Sequence, residues 1–439
     1  MRRSVRLVLV LLLASLGLAG ALGGVGALAP IEARVTPAAA TRAASPLAGP
    51  WAHSTITTRA NPELRNYNAA RDTRTRAALA RIAFTPKARW FANCKSCNVA
   101  DIRRQVATYV ADTRRNDPDT LVQLAIFGLW PDGEVVKGKR PKMSWTPARY
   151  RGWIQQIALG IGDARAAIVL EPDLAISANH RGGMVDPSAA QRISYTAWAA
   201  SYLSRALPRA SIYLDAGSAD WLTLPEATRL LRRAGIGYVR GFALGATHYD
   251  SVADNVAYAA RLSQALAKAG VPGKKAVIDT ADNGTPFTWL QWRQRWGAAY
   301  DRTRSEAYLF DNTPTCGSRT EKICQTLGHR PTWNVLDGEA AKLGLGTDQP
   351  ELRRQALAYV DAYLWFGRGW RWMQQGGNDA QTPKRSVRMA LYTRFVQATA
   401  PAAPAPPDPS GSPTDPAPSA TASPSGDPAP SQDPGPTAP

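Results

Sequence analysis

The chain is poor in the residues that build metal and redox centres. Its 439 residues include four His and four Cys. His53, His180, His248 and His329 are far apart, and none lies three to five residues from another, which argues against a His-based metal site. Acids are also scarce: 34 Asp and Glu face 53 Lys and Arg, for a net charge of +19. No Gly-rich phosphate loop follows the first strand-like run, which disfavours a nucleotide-binding fold. Beyond residue 28 no apolar stretch approaches the length of a membrane span. No repeat of solenoid length is visible. Neither a cofactor nor a metal is expected.

The surplus of base is spread along the chain. Arg103, Arg104, Arg114, Arg115, Arg229, Arg232, Arg233, Arg353 and Arg354 fall on several helix-like stretches, the habit of solvated faces. Nucleic-acid binding would want a concentrated patch or a recognised motif, so no such partner is expected. Electrostatic retention of a monomer on an anionic cell wall is the expected consequence.

The two ends differ from the middle. Residues 1–30 pair a basic start with an apolar, Leu/Ala/Gly-rich run, which reads as a secretory signal peptide; an uncleaved anchor is the alternative. Residues 31–60 read as a flexible lead-in, and 61–397 as one catalytic domain. Residues 398–439 are almost wholly Pro, Ala, Ser, Asp, Gly and Thr, too apolar-poor to offset their ordering entropy. A secreted, extracellular protein is expected. Its cysteines, Cys94 with Cys97 and Cys316 with Cys324, then read as disulfides of open connectivity, with zinc at Cys-x-x-Cys the weaker alternative.

In the middle, strand-like runs at 121–129, 166–173, 211–217, 238–244, 274–282, 307–312 and 362–367 alternate with helix-like stretches. This predicts an α/β fold: a distorted, TIM-like parallel barrel of seven to eight strands, with a doubly wound sheet as the alternative. The clearest run is Ala166-Ala-Ile-Val-Leu-Glu-Pro-Asp173, apolar without alternation and so buried on both faces. Pro172 ends it and sets Asp173 at the carboxyl edge, where such folds keep their chemistry. The plainer reading is that Asp173 caps a turn. Asp132, Asp215, Asp279, Asp282 and Asp311 also stand at the carboxyl ends of runs. Converging carboxylates suit acid–base chemistry, because repulsion and burial hold one protonated. Fourteen Trp are present, among them Trp90, Trp130, Trp221, Trp333, Trp365, Trp370 and Trp372 near strand ends. Each alone suits core packing; together they suit sugar stacking.

These residues carry a family resemblance. Val169-Leu-Glu-Pro-Asp173, Ser211-Ile-Tyr-Leu-Asp-Ala-Gly217 with Trp221, Gly241-Phe-Ala-Leu244 with Tyr249, and Val277-Ile-Asp-Thr280 with Asn283-Gly284 stand in order. Together they resemble the glycoside hydrolase family 6 cellulases, from about residue 89 to residue 365. The resemblance implies inverting hydrolysis of β-1,4-glucan, with Asp173 as general acid and Asp215 supporting it. It matches Trp90, Trp221 and Trp365 to sugar-stacking positions, and Tyr249 and Glu171 complete the expected substrate-binding set.

Three segments depart from that pattern. The family's Arg-Asp-Cys after the first strand is Phe127-Gly-Leu-Trp-Pro-Asp-Gly133 here, leaving Asp132 as the nearby acid and the candidate second catalytic carboxylate. The acid-bearing segment after the last strand is Phe366-Gly-Arg-Gly-Trp-Arg-Trp-Met373, which contains no acid. The family's Gly-Phe-Ala-Leu-Asn ends in Gly245. A glycan-binding protein of the same fold without catalysis, or a hydrolase of another glycan, is the alternative expectation.

Overall fold

The computed structural model describes residues 45–51, 62–92, 99–129, 145–178, 188–246, 248–297, 306–370 and 382–395. Seven parallel strands lie in sequence order: β1 (Arg89–Ala92), β2 (Val122–Phe127), β3 (Ala166–Leu170), β4 (Ala210–Asp215), β5 (Gly241–Leu244), β6 (Lys275–Asp279) and β7 (Val360–Leu364). Every adjacent pair is parallel. The ends of the sheet approach each other, where the Ala88 N–H donates to the Trp365 carbonyl at 2.7 Å and Trp90 Nε1 donates to the Phe366 carbonyl at 2.6 Å. The sheet is therefore a distorted α/β barrel, as expected.

Side-chain size explains the curl. Successive strand residues point to opposite faces. Inward go Ala125, Ala167, Val169, Tyr213, Ala243, Val277 and Ala362, mostly small, as a narrow barrel requires. Outward against the helices go larger residues, including Ile126, Ile168, Leu170, Leu214, Phe242 and Ile278. By the same parity Asp215 and Asp279, the last residues of β4 and β6, face the interior at the carboxyl end.

The base of the barrel is sealed. Register shifts between β6 and β7, so Ala276 pairs with Val360 and Val277 with Ala362, leaving Asp361 as the extra residue of a bulge. Asp361 accepts hydrogen bonds from Tyr213 (2.8 Å) and from both Nε and Nη2 of Arg240 (2.8 and 2.9 Å). Residues 45–51, within the stretch expected as a flexible lead-in, are packed under the barrel. Leu47 is fully buried in the inner cluster, Ser45 Oγ donates to the Asp361 carbonyl, and the Leu121 N–H donates to the Pro50 carbonyl. Apolar Leu47 anchors a stretch whose Ala, Thr and Pro content alone suggested a free chain.

Two strand assignments change. Of residues 307–312, expected as a strand, all but the last lie in the helix Glu306–Asp311, so Asp311 is a helix end and its carbonyl accepts from Tyr249 Oη. The seventh strand is instead β1, a four-residue segment that shows no long apolar run. Residues 171–173 fall outside β3, which ends at Leu170. The Cys316–Cys324 disulfide is formed, and Cys94 and Cys97 lie outside the described residues.

Candidate active site

The turn after β3 is strained and latched. Glu171 and Asp173 both have positive φ, 53° and 66°. Left-handed backbone costs a residue with a side chain roughly 1–2 kcal/mol, so surrounding contacts must hold it. Glu171 supplies them: its carboxyl accepts from Gly128 N (3.0 Å), Leu129 N (2.9 Å) and Tyr150 Oη (2.8 Å). Gly128 lets the chains approach, since a Cβ there would lie 2.8 Å from the Trp153 ring. Burial pushes the Glu171 carboxyl up to about 7, against the pull of these donors and of the Arg192 charge. Glu171, expected to bind substrate, thus spends its carboxyl on ordering the turn that carries Asp173.

Asp173 is buried, and its carbonyl accepts from Arg192 Nη1 at 3.2 Å and from Ile176 N at 3.1 Å. Asp215, fully buried, ends the neighbouring strand, and the Ala175 N–H reaches its Oδ2 at 3.4 Å. Its pKa stands well above the ordinary carboxylate range, first through burial and then through the Asp173 charge; the N–H groups of Ala175, Gly217 and Asp173 offset this only in part. Asp173 and Asp215 are therefore close enough to share the problem of ionising together.

A third carboxyl repeats the theme. Asp279 Oδ1 accepts from the Phe366 N–H at 2.9 Å, and no hydrogen bond among the described residues reaches Oδ2. Burial and then Asp282 raise its pKa well above the usual range. So Glu171 holds the turn after β2, Asp215 touches the one after β3, and Asp279 holds the one after β7. Gly245, where the family has Asn, has φ +84°, a conformation Gly and Asn tolerate best.

The expected aromatic platforms are placed differently from one another. Trp90 is half-buried, edge-on to Phe127, with the Arg368 guanidinium over its ring at 4.0 Å. Trp221 is stacked on His248, with centroids 4.5 Å apart and planes 15° apart. Trp365 is fully buried, donating to the His329 carbonyl at 2.7 Å and packing on Trp370. Tyr249 is fully buried between Phe287 and Phe310. Asp132, Trp130 and Trp372 lie outside the described residues.

The sequence reading missed one cluster beside Trp221. His248 Nδ1 lies 2.7 Å from Asp220 Oδ1, and Asp220 Oδ2 accepts from the Trp289 N–H at 2.7 Å. Asp250 accepts from Ser218, and burial, with Asp220 nearby, pushes it up to about 7. Nothing local in the chain pairs Asp220 with His248, 28 residues apart. Among the described residues no group of His, Cys, Asp and Glu could hold a metal ion.

A parallel α/β barrel with buried carboxyls at its carboxyl mouth defines a class of barrel enzymes. Within that class the family is specific: residues 48–307 match the model of glycosyl hydrolases family 6, and the chain belongs to that family. It is 31% identical over 209 residues to endoglucanase A of Cellulomonas fimi, covering 48% of this chain and 42% of that protein. It is 30% identical over 279 residues to endoglucanase A of Thermobispora bispora, covering 63% and 56%. The chain thus spans about half the length of the curated relatives it matches. Among solved structures, the endoglucanase Cel6 of Mycobacterium tuberculosis, bound to a thio-linked cellobioside, superposes with a TM-score of 0.55 at 24% identity, over 80% of this chain and 99% of that one. Cellobiohydrolase II of Humicola insolens, with glucose and cellotetraose, gives 0.52 at 19% identity, over 74% and 87%. At these identities the superpositions speak for the fold alone.

Proposed function

We propose that the chain is an inverting glycoside hydrolase acting on a β-1,4-linked glucan. The single observation that supports this best is the Asp173–Asp215 pair at adjacent strand ends. Burial and mutual repulsion keep a proton on the pair at pH values where an isolated Asp has lost it. Asp173, on its constrained turn, donates that proton to the leaving oxygen as the glycosidic bond breaks. Asp173, left ionised, recovers a proton from solvent by way of the neighbouring Asp215 carboxyl, while the attacking water gives its proton to the second carboxylate. Water attacks the anomeric carbon from the opposite face, which in inverting enzymes needs carboxyls roughly 6.5–9.5 Å apart. We assign the second carboxylate to Asp132, because Glu171 is committed to its turn and burial disfavours ionised Asp279. Trp90 and Trp221 remain the proposed sugar-binding aromatics, whereas full burial disfavours that role for Trp365 and Tyr249.

A second reading has its own support: residues 366–370 hold no acid, as a binding protein without turnover would allow. Reducing-sugar release from a panel of soluble β-glucans, with affinity measured in parallel, separates the two. Turnover supports the hydrolase; affinity without turnover, lost on Trp221→Ala and indifferent to Asp173→Ala, supports the binding protein. Neither turnover nor affinity ends both. We also propose that the protein acts outside the cell as a monomer retained by anionic wall polymers, which its +19 charge and the Cys316–Cys324 disulfide support.

A further inference from the structure

Exposed Arg residues are treated in two ways on the outer surface of the barrel. Arg104, Arg115 and Arg354 each meet an acid three residues back on their own helix: Asp101, Asp112 and Glu351. Such pairs cancel charge at close range. The helices Thr73–Ala83 and Thr382–Leu391 are built otherwise, since neither contains an acid. They pack on one another through a shared apolar cluster that includes Ala78, Ile82, Met389 and Ala390.

Three guanidinium groups from remote parts of the chain gather here. Arg81 Nη1, on the first helix, donates to the Ala390 carbonyl at the end of the second, at 2.8 Å. Arg319, in the loop closed by the Cys316–Cys324 disulfide, donates to the carbonyls of Leu391 and Thr393, both at 3.4 Å. Arg388 Nη2 donates in turn to the Thr315 carbonyl at 3.2 Å. All three Arg are exposed. Backbone carbonyls orient them and bring no counter-charge. Arg74 and Lys384, also exposed, continue the same rows, seven residues before Arg81 and four before Arg388. The acids beside them are Asp72, which caps the first helix at Thr75, and Glu321, which accepts from the Gly317 N–H. Five cations thus face two carboxylates that already hold backbone N–H groups. Arg385 fastens the second helix to the Gly369 carbonyl, in the turn after β7. That helix and the disulfide loop both lie beyond residue 307, outside the family match.

We propose that this outer face is the surface by which the protein holds an acidic polysaccharide, whose repeated carboxylates meet Arg81, Arg319 and Arg388. The inference rests on the retention reading for the sign of the partner and is independent of hydrolysis. A guanidinium offers paired N–H donors that match a carboxylate. Groups already oriented by carbonyls lose little freedom on meeting one. Both helices bury one side in the apolar cluster, so neither stands free to enter a nucleic-acid groove. The net charge of +19 attracts any polyanion at long range, and this face gives the attraction a place to settle.

The test measures affinity for polygalacturonate, with duplex DNA as the rival polyanion. At low salt the wild type binds polygalacturonate more tightly than duplex DNA, and the binding weakens as salt rises. Two triple variants of equal net charge then separate the face from the total charge. Arg81→Gln with Arg319→Gln and Arg388→Gln lowers the affinity about ten-fold, the sum of three exposed charge contacts. Arg104→Gln with Arg115→Gln and Arg354→Gln lowers it by less than about two-fold. Should the first triple not fold, Arg74→Gln with Lys384→Gln, which spares the bonds to the carbonyls, lowers it about three-fold. Equal losses in the two triples overturn the inference and leave retention by bulk charge standing. An unchanged affinity in the Arg74 and Lys384 double variant, or tighter binding to duplex DNA, overturns it too. A wild type that binds neither polyanion ends the retention reading along with this one.

Discussion

At the base of the barrel Asp361 is buried and fully engaged, taking both arms of Arg240 and the hydroxyl of Tyr213. At the mouth Asp215 and Asp279 are just as buried, yet what reaches them is backbone N–H alone, and each keeps an oxygen with no hydrogen-bond partner among the described residues. The residue type is the same and the treatment is opposite. A paired buried carboxylate contributes to holding the fold, whereas an incompletely paired one holds a proton and is poised to exchange it. Parallel barrels divide their two ends in this way, stability below and chemistry above.

The contrast predicts that substitutions at the two ends separate activity from stability. The largest effect belongs to the mouth. Asp173→Ala lowers turnover of unactivated glucan by about 10²–10⁴-fold, the usual worth of a general acid, and by much less when the leaving group needs no proton. Asp215→Asn also lowers turnover while leaving the melting temperature unchanged or higher, because it removes a buried group that resists ionisation. Steady-state kinetics beside thermal melts check both; a mouth variant that melts early and keeps its activity breaks the contrast.

The base comes next. Arg240→Ala strands Asp361 and costs about 3 kcal/mol, read by urea unfolding, with little change in turnover per folded molecule. Smaller again is the covalent clip. Replacing Cys316 by Ser opens a short loop and costs about 2 kcal/mol, visible as a lowered denaturation midpoint.

The last test sharpens the contrast through pH. Glu171 is raised to about 7 in the fold, and the folded state therefore binds its proton more tightly than the unfolded chain does. Its contribution to stability is complete below pH 4.5 and is lost as pH rises through 7. Asp250, also raised to about 7, adds to the same decline. Melting temperatures at pH 5 and pH 8 should therefore differ, and Glu171→Gln should reduce the difference. An unchanged difference in the variant assigns the slope to other groups.

Much of the architecture was legible because a parallel strand buried on both faces leaves an apolar run that few other elements produce, as at Ala166–Leu170. Residues 307–312 misled because four apolar residues, Ala307 to Phe310, are too few for a period of two to be told from one of 3.6. β1 was missing from the count because Arg89–Ala92 is short and opens on a charge. The buried carboxyl of Asp173 could be placed from its strand end. Whether an aromatic beyond a strand faces the cleft or the core depends on neighbours remote in sequence. Trp365 meets His329, Tyr249 meets Phe310, and neither pairing leaves a local trace. The same holds for Asp220 with His248 and for Arg368 on Trp90.

Leu47 and Ser45, seated beneath the strands, make the barrel's floor out of a segment that precedes every strand and helix described. A peptidase cutting before Ser45 releases a protein with its floor in place. One cutting past Leu47 removes the plug and exposes the inner cluster and the carbonyl of Asp361 to water. Any shortening of the chain that removes Leu47 therefore takes the floor out of the barrel, while one that stops before Ser45 leaves it whole.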